Sequence, residues 1–207
     1  MQVIKLISYV MGVNTYVLYN EKTREAVIID PSFDTKKIKD CVKAEKLKVV
    51  AILLTHGHYD HIAGLEEIRS QYGVPVYIGK DDAQMLLDSR INLSESFGEP
   101  ITCKPAEHLL EDGETIHVAG MQIKAISTPG HTRGGVTYVV DDVLFTGDTL
   151  FNLSIGRTDF PGGDFDELMQ SLKKLSALDE KEDYTVHPGH ESSSSLDFEI
   201  INNPYMS

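Results

Sequence analysis

The sequence predicts an α+β protein of four layers, two β-sheets packed face to face with helices on the outside, and three observations predict it. Short apolar runs separated by turn residues recur in both halves of the 207-residue chain. Each half runs through strands to an amphipathic helix, so each sheet has one face to bury against the other and one to cover with helices. No linker rich in Pro, Gly or Ser divides the halves, and the length suits one domain, residues 1–207, better than two.

Taken in order, Val3 to Val10 and Asn14 to Tyr19 read as strands, and the polar turn Glu21 to Arg24 leads into a third, Ala26 to Ile29. Asp34 or Thr35 is placed to cap a helix that turns Ile38, Cys41 and Val42 inward. Val49 to Leu54 is a continuous apolar run, as a strand covered on both faces requires. A helix is expected from about Ile62 to Tyr72, ended by Gly73 and Pro75 before a strand at Val76 to Ile78. Asp81 to Leu87 reads as a further helix and Ser89 to Pro100 as a polar loop. In the second half, hairpins are expected around Ala119-Gly120 and Asp141-Asp142. Asp164 with Glu167 forms the pattern of a capping box before a helix that buries Phe165, Leu168, Met169, Leu172 and Leu175. A strand at Tyr184 to Val186 and a last helix from about Leu196, capped from the Ser192 to Ser195 run, complete the chain.

Composition narrows the function. Nineteen Lys plus Arg face 32 Asp plus Glu, a net charge of -13, and no basic run offsets it. Such a field repels nucleic acid and anionic membrane surfaces, so neither is an expected partner. The apolar start of the chain is interrupted by Lys5 and reads as a strand, not a leader, and no apolar stretch reaches the length of a membrane helix. Two cysteines, Cys41 and Cys103, form no CxxC pair or disulfide framework. The expected compartment is the cytoplasm.

The chemistry concentrates in Thr55-His56-Gly57-His58-Tyr59-Asp60-His61, directly after the buried strand. Alternate residues of an extended segment point the same way, so His56, His58 and Asp60 converge, and a turn into the next helix brings His61 to them. Three imidazoles and a carboxylate in six residues are a dense set of metal ligands. Three more candidates follow strands through Gly-containing turns: His131 in Ser-Thr-Pro-Gly-His-Thr, Asp148 in Thr-Gly-Asp-Thr and His190 in His-Pro-Gly-His. Each alone has a plain structural reading, but together they share one grammar of strand, turn and ligand. His108 and His117 lie outside these motifs and read as structural, and His187 reads as either a surface residue or a support for the ligands.

These motifs resemble the metallo-β-lactamase superfamily over nearly the whole chain. The Thr55–His61 segment is similar to its T-H-x-H-x-D-H signature, and STPGHT, FTGDTL and HPGH follow in the family's order and at its usual distances. The resemblance implies an αβ/βα four-layer sandwich of two mixed sheets with two adjacent divalent metals. His56, His58 and His131 would hold the first, Asp60, His61 and His190 the second, and Asp148 would bridge them. Zinc is expected, although imidazole and carboxylate ligands also suit iron and manganese.

Within the superfamily, Leu150 to Asp164 and the ending Asn203-Pro204 most resemble the glyoxalase II (hydroxyacylglutathione hydrolase) group of thioester hydrolases and its short bacterial relatives. That implies hydrolysis of a small anionic acyl thioester or ester by a metal-bridging hydroxide, with Asp60 and Asp148 as the catalytic carboxylates. Arg157 falls where glyoxalase II has a lysine that contacts glutathione, so it is the expected substrate-binding residue. The helical C-terminal domain that grips glutathione in typical glyoxalase II enzymes is not expected here. Two alternatives share much of the motif set: a persulfide dioxygenase-like enzyme with one Fe(II), and a lactonase or other hydrolase of the superfamily. Ser154-Ile155 before Gly156 and Pro161 after Phe160 favour the hydrolase branch. A metal-binding module without catalysis would lack a ligand, and none is missing.

Overall fold

The computed structural model describes residues 1–178 and 183–206. Its first sheet runs in the order β1 (Gln2–Ile7), β2 (Asn14–Tyr19), β3 (Glu25–Ile29), β4 (Lys48–Leu53), β5 (Val76–Gly79) and β6 (His108–Leu110). The first three strands are antiparallel neighbours, and β3 to β6 are parallel. Parallel neighbours need crossovers, which α1 (Thr35–Ala44), α2 (Tyr59–Ile62) and α3 (Leu65–Tyr72) supply. The stretch from β5 to β6 carries a 3₁₀ helix, Lys80–Leu86, and the short α4 (Ser94–Phe97).

The second sheet contains β7 (Thr115–Val118), β8 (Met121–Ser127), β9 (Val136–Val140) and β10 (Val143–Gly147) as an antiparallel run. A small hairpin, β11 (Leu150–Phe151) with β12 (Ser154–Ile155), and α5 (Phe165–Ser176) intervene before β13 (Thr185–Pro188) adds in parallel to β10. β14 (Ser194–Ser195) closes the sheet's edge and α6 (Leu196–Asn202) follows it.

Period-2 alternation sorts the side chains into layers. Tyr16 and Leu18 of β2 face inward, where they pack with Val27, Leu53, Ile123, Tyr138 and Phe145 between the sheets. Val17 and Tyr19 face outward and join Ile38, Ile62, Leu65 and Ile68 under the first helices. Leu144 and Val186 meet Leu172, Leu175 and Leu196 under α5 and α6. Helix, sheet, sheet and helix therefore stack as expected, and each fully buried Leu, Ile or Phe contributes about 1.5–3 kcal/mol.

The departures from the sequence reading have local causes. β1 ends at Ile7, because Ser8 N–H turns back to Val13 O and Tyr9 N–H to Asp34 Oδ2. Asp34 thus spends its carboxylate on Tyr9 and makes no side-chain cap for α1. The single helix expected from Ile62 to Tyr72 is two, because the chain bends at Gly64, where a Cβ would stand 2.3 Å from Ser32 O. The segment expected as a helix from Asp81 is the 3₁₀ turn, and the expected loop Ser89–Pro100 contains α4. Two caps behave as read: Asp164 accepts from Glu167 N–H at 3.0 Å, and Ser195 Oγ from Phe198 N–H at 3.4 Å. Cys41 is half-buried beside the helix-covered core, and neither cysteine is bonded to the other.

Candidate metal centre

All seven predicted side chains meet at one edge of the sandwich. His56 follows β4, His58 precedes α2, and Asp60 and His61 lie within α2. His131 comes from the loop after β8, Asp148 directly after β10 and His190 after β13. Both sheets thus deliver ligand-type residues from strand ends, where loop backbone can be shaped without breaking a ladder. Asp30 groups with His56 and His61, and the predicted residues themselves form two clusters, His56 with His58 and His131, and Asp60 with His61 and His190, each set with potential ligand atoms within 4.8 Å of one another. Asp148 lies between them: Oδ1 is 3.4 Å from His61 Nε2, and Oδ2 is 3.5 Å from both His131 Nε2 and His190 Nε2.

The outer partners fix which nitrogen faces inward. His131 Nδ1 must donate to Arg157 O at 2.7 Å and His190 Nδ1 to Met11 O at 3.1 Å, because a carbonyl only accepts. His61 Nδ1 donates to Asp30 Oδ2 at 3.0 Å. Thr55 Oγ1 gives its proton to Asp30 Oδ2 at 2.6 Å, so at 3.1 Å it accepts from His56 Nδ1. Four imidazoles therefore turn Nε2 lone pairs into one space, where His58 Nδ1 approaches His131 Nε2 at 2.9 Å. His56 Nε2 and Asp148 Oδ1 are buried with no hydrogen-bond partner. Buried acceptors without donors are costly, and a cation bound among them removes that cost. The donor set therefore fits divalent metals bound by nitrogen and oxygen.

The electrostatics point the same way. Burial, reinforced by like charge on His61, drives His56 well below the usual imidazole pKa, and burial with His131 takes His58 to about 3. Burial opposes the charged form of His61, but Asp60 and Asp148 outweigh it and raise its pKa well above the usual value. The same holds more mildly for His190, where Asp60 outweighs burial. Metal retention is accordingly expected to rise with pH. His56 and His58 are already neutral, whereas His61 and His190 release the competing protons only as pH climbs through their raised values. Equilibrium dialysis against zinc between about pH 5 and about pH 8 should show this rise, and a level or falling curve contradicts it.

Residues that no motif flagged hold the site in place. Asp30, 1 % exposed at the end of β3, accepts from Thr55 N–H at 2.8 Å as well as from Thr55 Oγ1 and His61. It adopts φ 51°, a left-handed conformation uncommon outside glycine. Asp82 ties the two halves together by accepting from Gly57 N–H, Thr132 Oγ1 and Gly134 N–H at 3.1, 2.7 and 2.7 Å. Burial raises its pKa against the pull of those donors. β2 secures the last ligand loop from the other sheet. Asn14 N–H donates to Gly189 O at 2.7 Å, and its Nδ2 to Pro188 O and Glu191 O at 2.9 and 3.0 Å. At Gly189 only a glycine fits, since a Cβ would stand 2.2 Å from Asp148 Oδ1. The one cheap sequence signal for Asp30 was an acidic residue ending a buried strand.

The remaining candidates resolve individually. Arg157 lines the cavity over the centre, but its guanidinium pairs with both oxygens of Asp159 at 2.6 Å and lies 3.9 Å from the Phe160 ring. Its backbone carbonyl, not its charge, supports His131. His187 is no free surface residue: it stacks on Tyr16 at 5.0 Å, bonds Ser193 Oγ at 2.7 Å, and burial takes its pKa to about 4. His117 is exposed, and His108 stacks on Tyr77 at 4.2 Å. No helix among the described residues is long and apolar enough to cross a membrane.

Comparison with known proteins identifies the family and the fold. The family model described as "Metallo-beta-lactamase superfamily" matches residues 8–190. A probable metallo-hydrolase of Bacillus subtilis, YqgX, is 36% identical over 93% of this chain and 92% of its own length. Hydroxyacylglutathione hydrolase GloC of Haemophilus influenzae is 31% identical over 88% of each chain. Among solved structures, the BLEG-1 B3 metallo-β-lactamase superposes with a TM-score of 0.94 at 37% identity, covering 100% of both chains. TTHA1623 in a di-iron-bound form gives 0.84 at 30% identity, covering 98% of this chain and 99% of that one.

Proposed function

The chain belongs to the metallo-β-lactamase superfamily and is a metal-dependent hydrolase, and from that premise we propose that it cleaves acyl thioesters or esters at a two-metal centre. His56, His58 and His131 would hold one metal, Asp60, His61 and His190 the other, with Asp148 reaching both. The observation that carries this reading is the set of buried nitrogen lone pairs fixed inward around Asp148. Zinc is the proposed metal on the imidazole and carboxylate donors, with iron and manganese compatible with the same set. The free cysteines suit the reducing cytoplasm.

When bound, the metals would supply Lewis acidity and bring the pKa of a coordinated water to about 7. The chain's own part is preorganisation. Asp60 and Asp148 present ionised carboxylates at the floor, held below the usual range because neighbouring imidazoles outweigh burial. They would accept a hydrogen bond from the attacking water and orient it toward the carbonyl carbon. Water adds to that carbon, the C–S or C–O bond breaks, and a carboxylic acid and a thiol or alcohol leave. A thiolate, with a thiol pKa of about 8.5, departs without a dedicated acid. Similarity to GloC and the glyoxalase II-like Leu150–Asp164 stretch support the thioester over other acyl groups.

Metal-loaded protein is expected to hydrolyse thioesters faster than matched lactones and β-lactams in a direct panel. Faster β-lactam or lactone turnover would move the assignment to another branch, and oxygen uptake with one iron per chain would replace hydrolysis by dioxygenation.

A further inference from the structure

Above the metal centre lies a cavity of about 360 Å³ whose floor is His58, Asp60, His131, Asp148 and His190. Its walls are apolar, formed chiefly by Met11, Leu93, Phe97, Phe151, Ile155 and Phe160. Tyr59 adds a stack: its ring is 5.7 Å from Phe97 at 8°. Phe97 meets Phe160 edge-on at 6.2 Å, and Phe160 meets His58 at 5.7 Å. An aromatic wall thus descends from the rim, where Phe97 is 55 % exposed, to a side chain of the centre itself. A large exposed aromatic at the mouth of a reactive cavity marks a surface that a ligand covers.

Charge selects among ligands. Arg157 is the one cationic side chain lining this cavity among the described residues, and Asp159 already matches it with two hydrogen bonds. Glu191 also lines the cavity, and the chain carries a net charge of -13. Away from the candidate metal ligands, the cavity lining offers an acyl tail mainly apolar and aromatic side chains, and Lys5, in the adjoining cavity that shares Met11, Phe151 and Glu191, already donates to Glu191 O. On this basis, and resting on the hydrolase reading above, we propose that the site selects neutral acyl groups with an aromatic or branched apolar end, gripped by Tyr59, Phe97 and Phe160. Phe97 and Phe160 are then specificity-determining residues, and the anionic acyl substrate expected from the sequence is disfavoured.

The test uses the metal-loaded full chain and acetyl, phenylacetyl and succinyl thioesters of one neutral thiol, 2-mercaptoethanol. Phenylacetyl is expected to exceed acetyl in kcat/KM by about 10–100-fold, with succinyl no better than acetyl. Phe97→Ala should reduce the phenylacetyl-to-acetyl ratio by about tenfold, and Phe160→Ala should do the same. A succinyl preference, or a ratio unchanged in both variants, overturns the proposal. A binding arm separates this outcome from failure of the hydrolase reading. Ketone analogues with CH2 in place of sulfur are titrated by saturation-transfer NMR. If no thioester turns over but the phenyl ketone binds about tenfold tighter than the methyl ketone and loses that advantage in Phe97→Ala, hydrolysis fails and the apolar pocket stands. Equal binding of the two ketones, or none, sinks the pocket as well.

Discussion

Asp148→Ala is expected to give a folded protein whose thioester turnover falls by about a thousandfold. The carboxylate touches both clusters, with His61 on one oxygen and His131 and His190 on the other. Its loss removes the negative charge that lies between the two clusters and would draw two cations to adjacent positions. The fold should survive because the β10–β13 ladder beneath Asp148 is backbone, and a His61 that loses this carboxylate can release its proton. Circular dichroism and a thermal melt would check the fold, and kcat/KM the chemistry. Wild-type rates in a folded Asp148→Ala protein would remove the bridging carboxylate from the account.

The second large effect is expected at a residue that touches no metal in this scheme. Asp30→Ala takes away the acceptor for Thr55 N–H, Thr55 Oγ1 and His61 Nδ1 at once. Each buried donor left unpaired costs about 1–3 kcal/mol, so the fold should be measurably weaker in denaturant. The imidazole of His61 would also lose the partner that fixes its tautomer, and losing such a partner typically costs about 10–100-fold in metal affinity. Asp30→Asn separates the two effects. Its amide oxygen still accepts from Thr55 N–H, so stability should partly return, but its NH2 cannot accept from His61 and metal affinity should stay low. Asp30→Asn with wild-type affinity would show that Asp30 only braces the fold.

The candidate ligands were legible because their geometry is local. An alternating His-x-His-x-Asp-His run after a buried strand needs only strand periodicity to converge, and three further strand-turn-ligand segments repeat its form. The layers were legible for the same reason, since the alternation of Tyr16 and Leu18 with Val17 and Tyr19 writes both faces of β2 into neighbouring residues. Asp30 and Asp82 were illegible because their partners are remote. Asp30 acts on residues 25 and 31 positions away, and Asp82 on residues 25, 50 and 52 positions away. Composition treats both as ordinary acidic residues near turns. The break at Gly64 was hidden likewise, because the carbonyl that crowds it belongs to Ser32 on the preceding loop. Arg157 was legible only in part: its motif position puts it in the cavity lining, but its exposed pair with Asp159 and the bond from His131 to its backbone carbonyl depend on loop geometry.

Counting metal is the most direct check on the central claim. Protein purified without chelator, loaded with zinc and dialysed should retain two ions per chain by elemental analysis, and His190→Ala should retain one. Retention of no divalent ion by the folded wild-type chain, or two ions held equally well by His190→Ala, would contradict the two-metal centre.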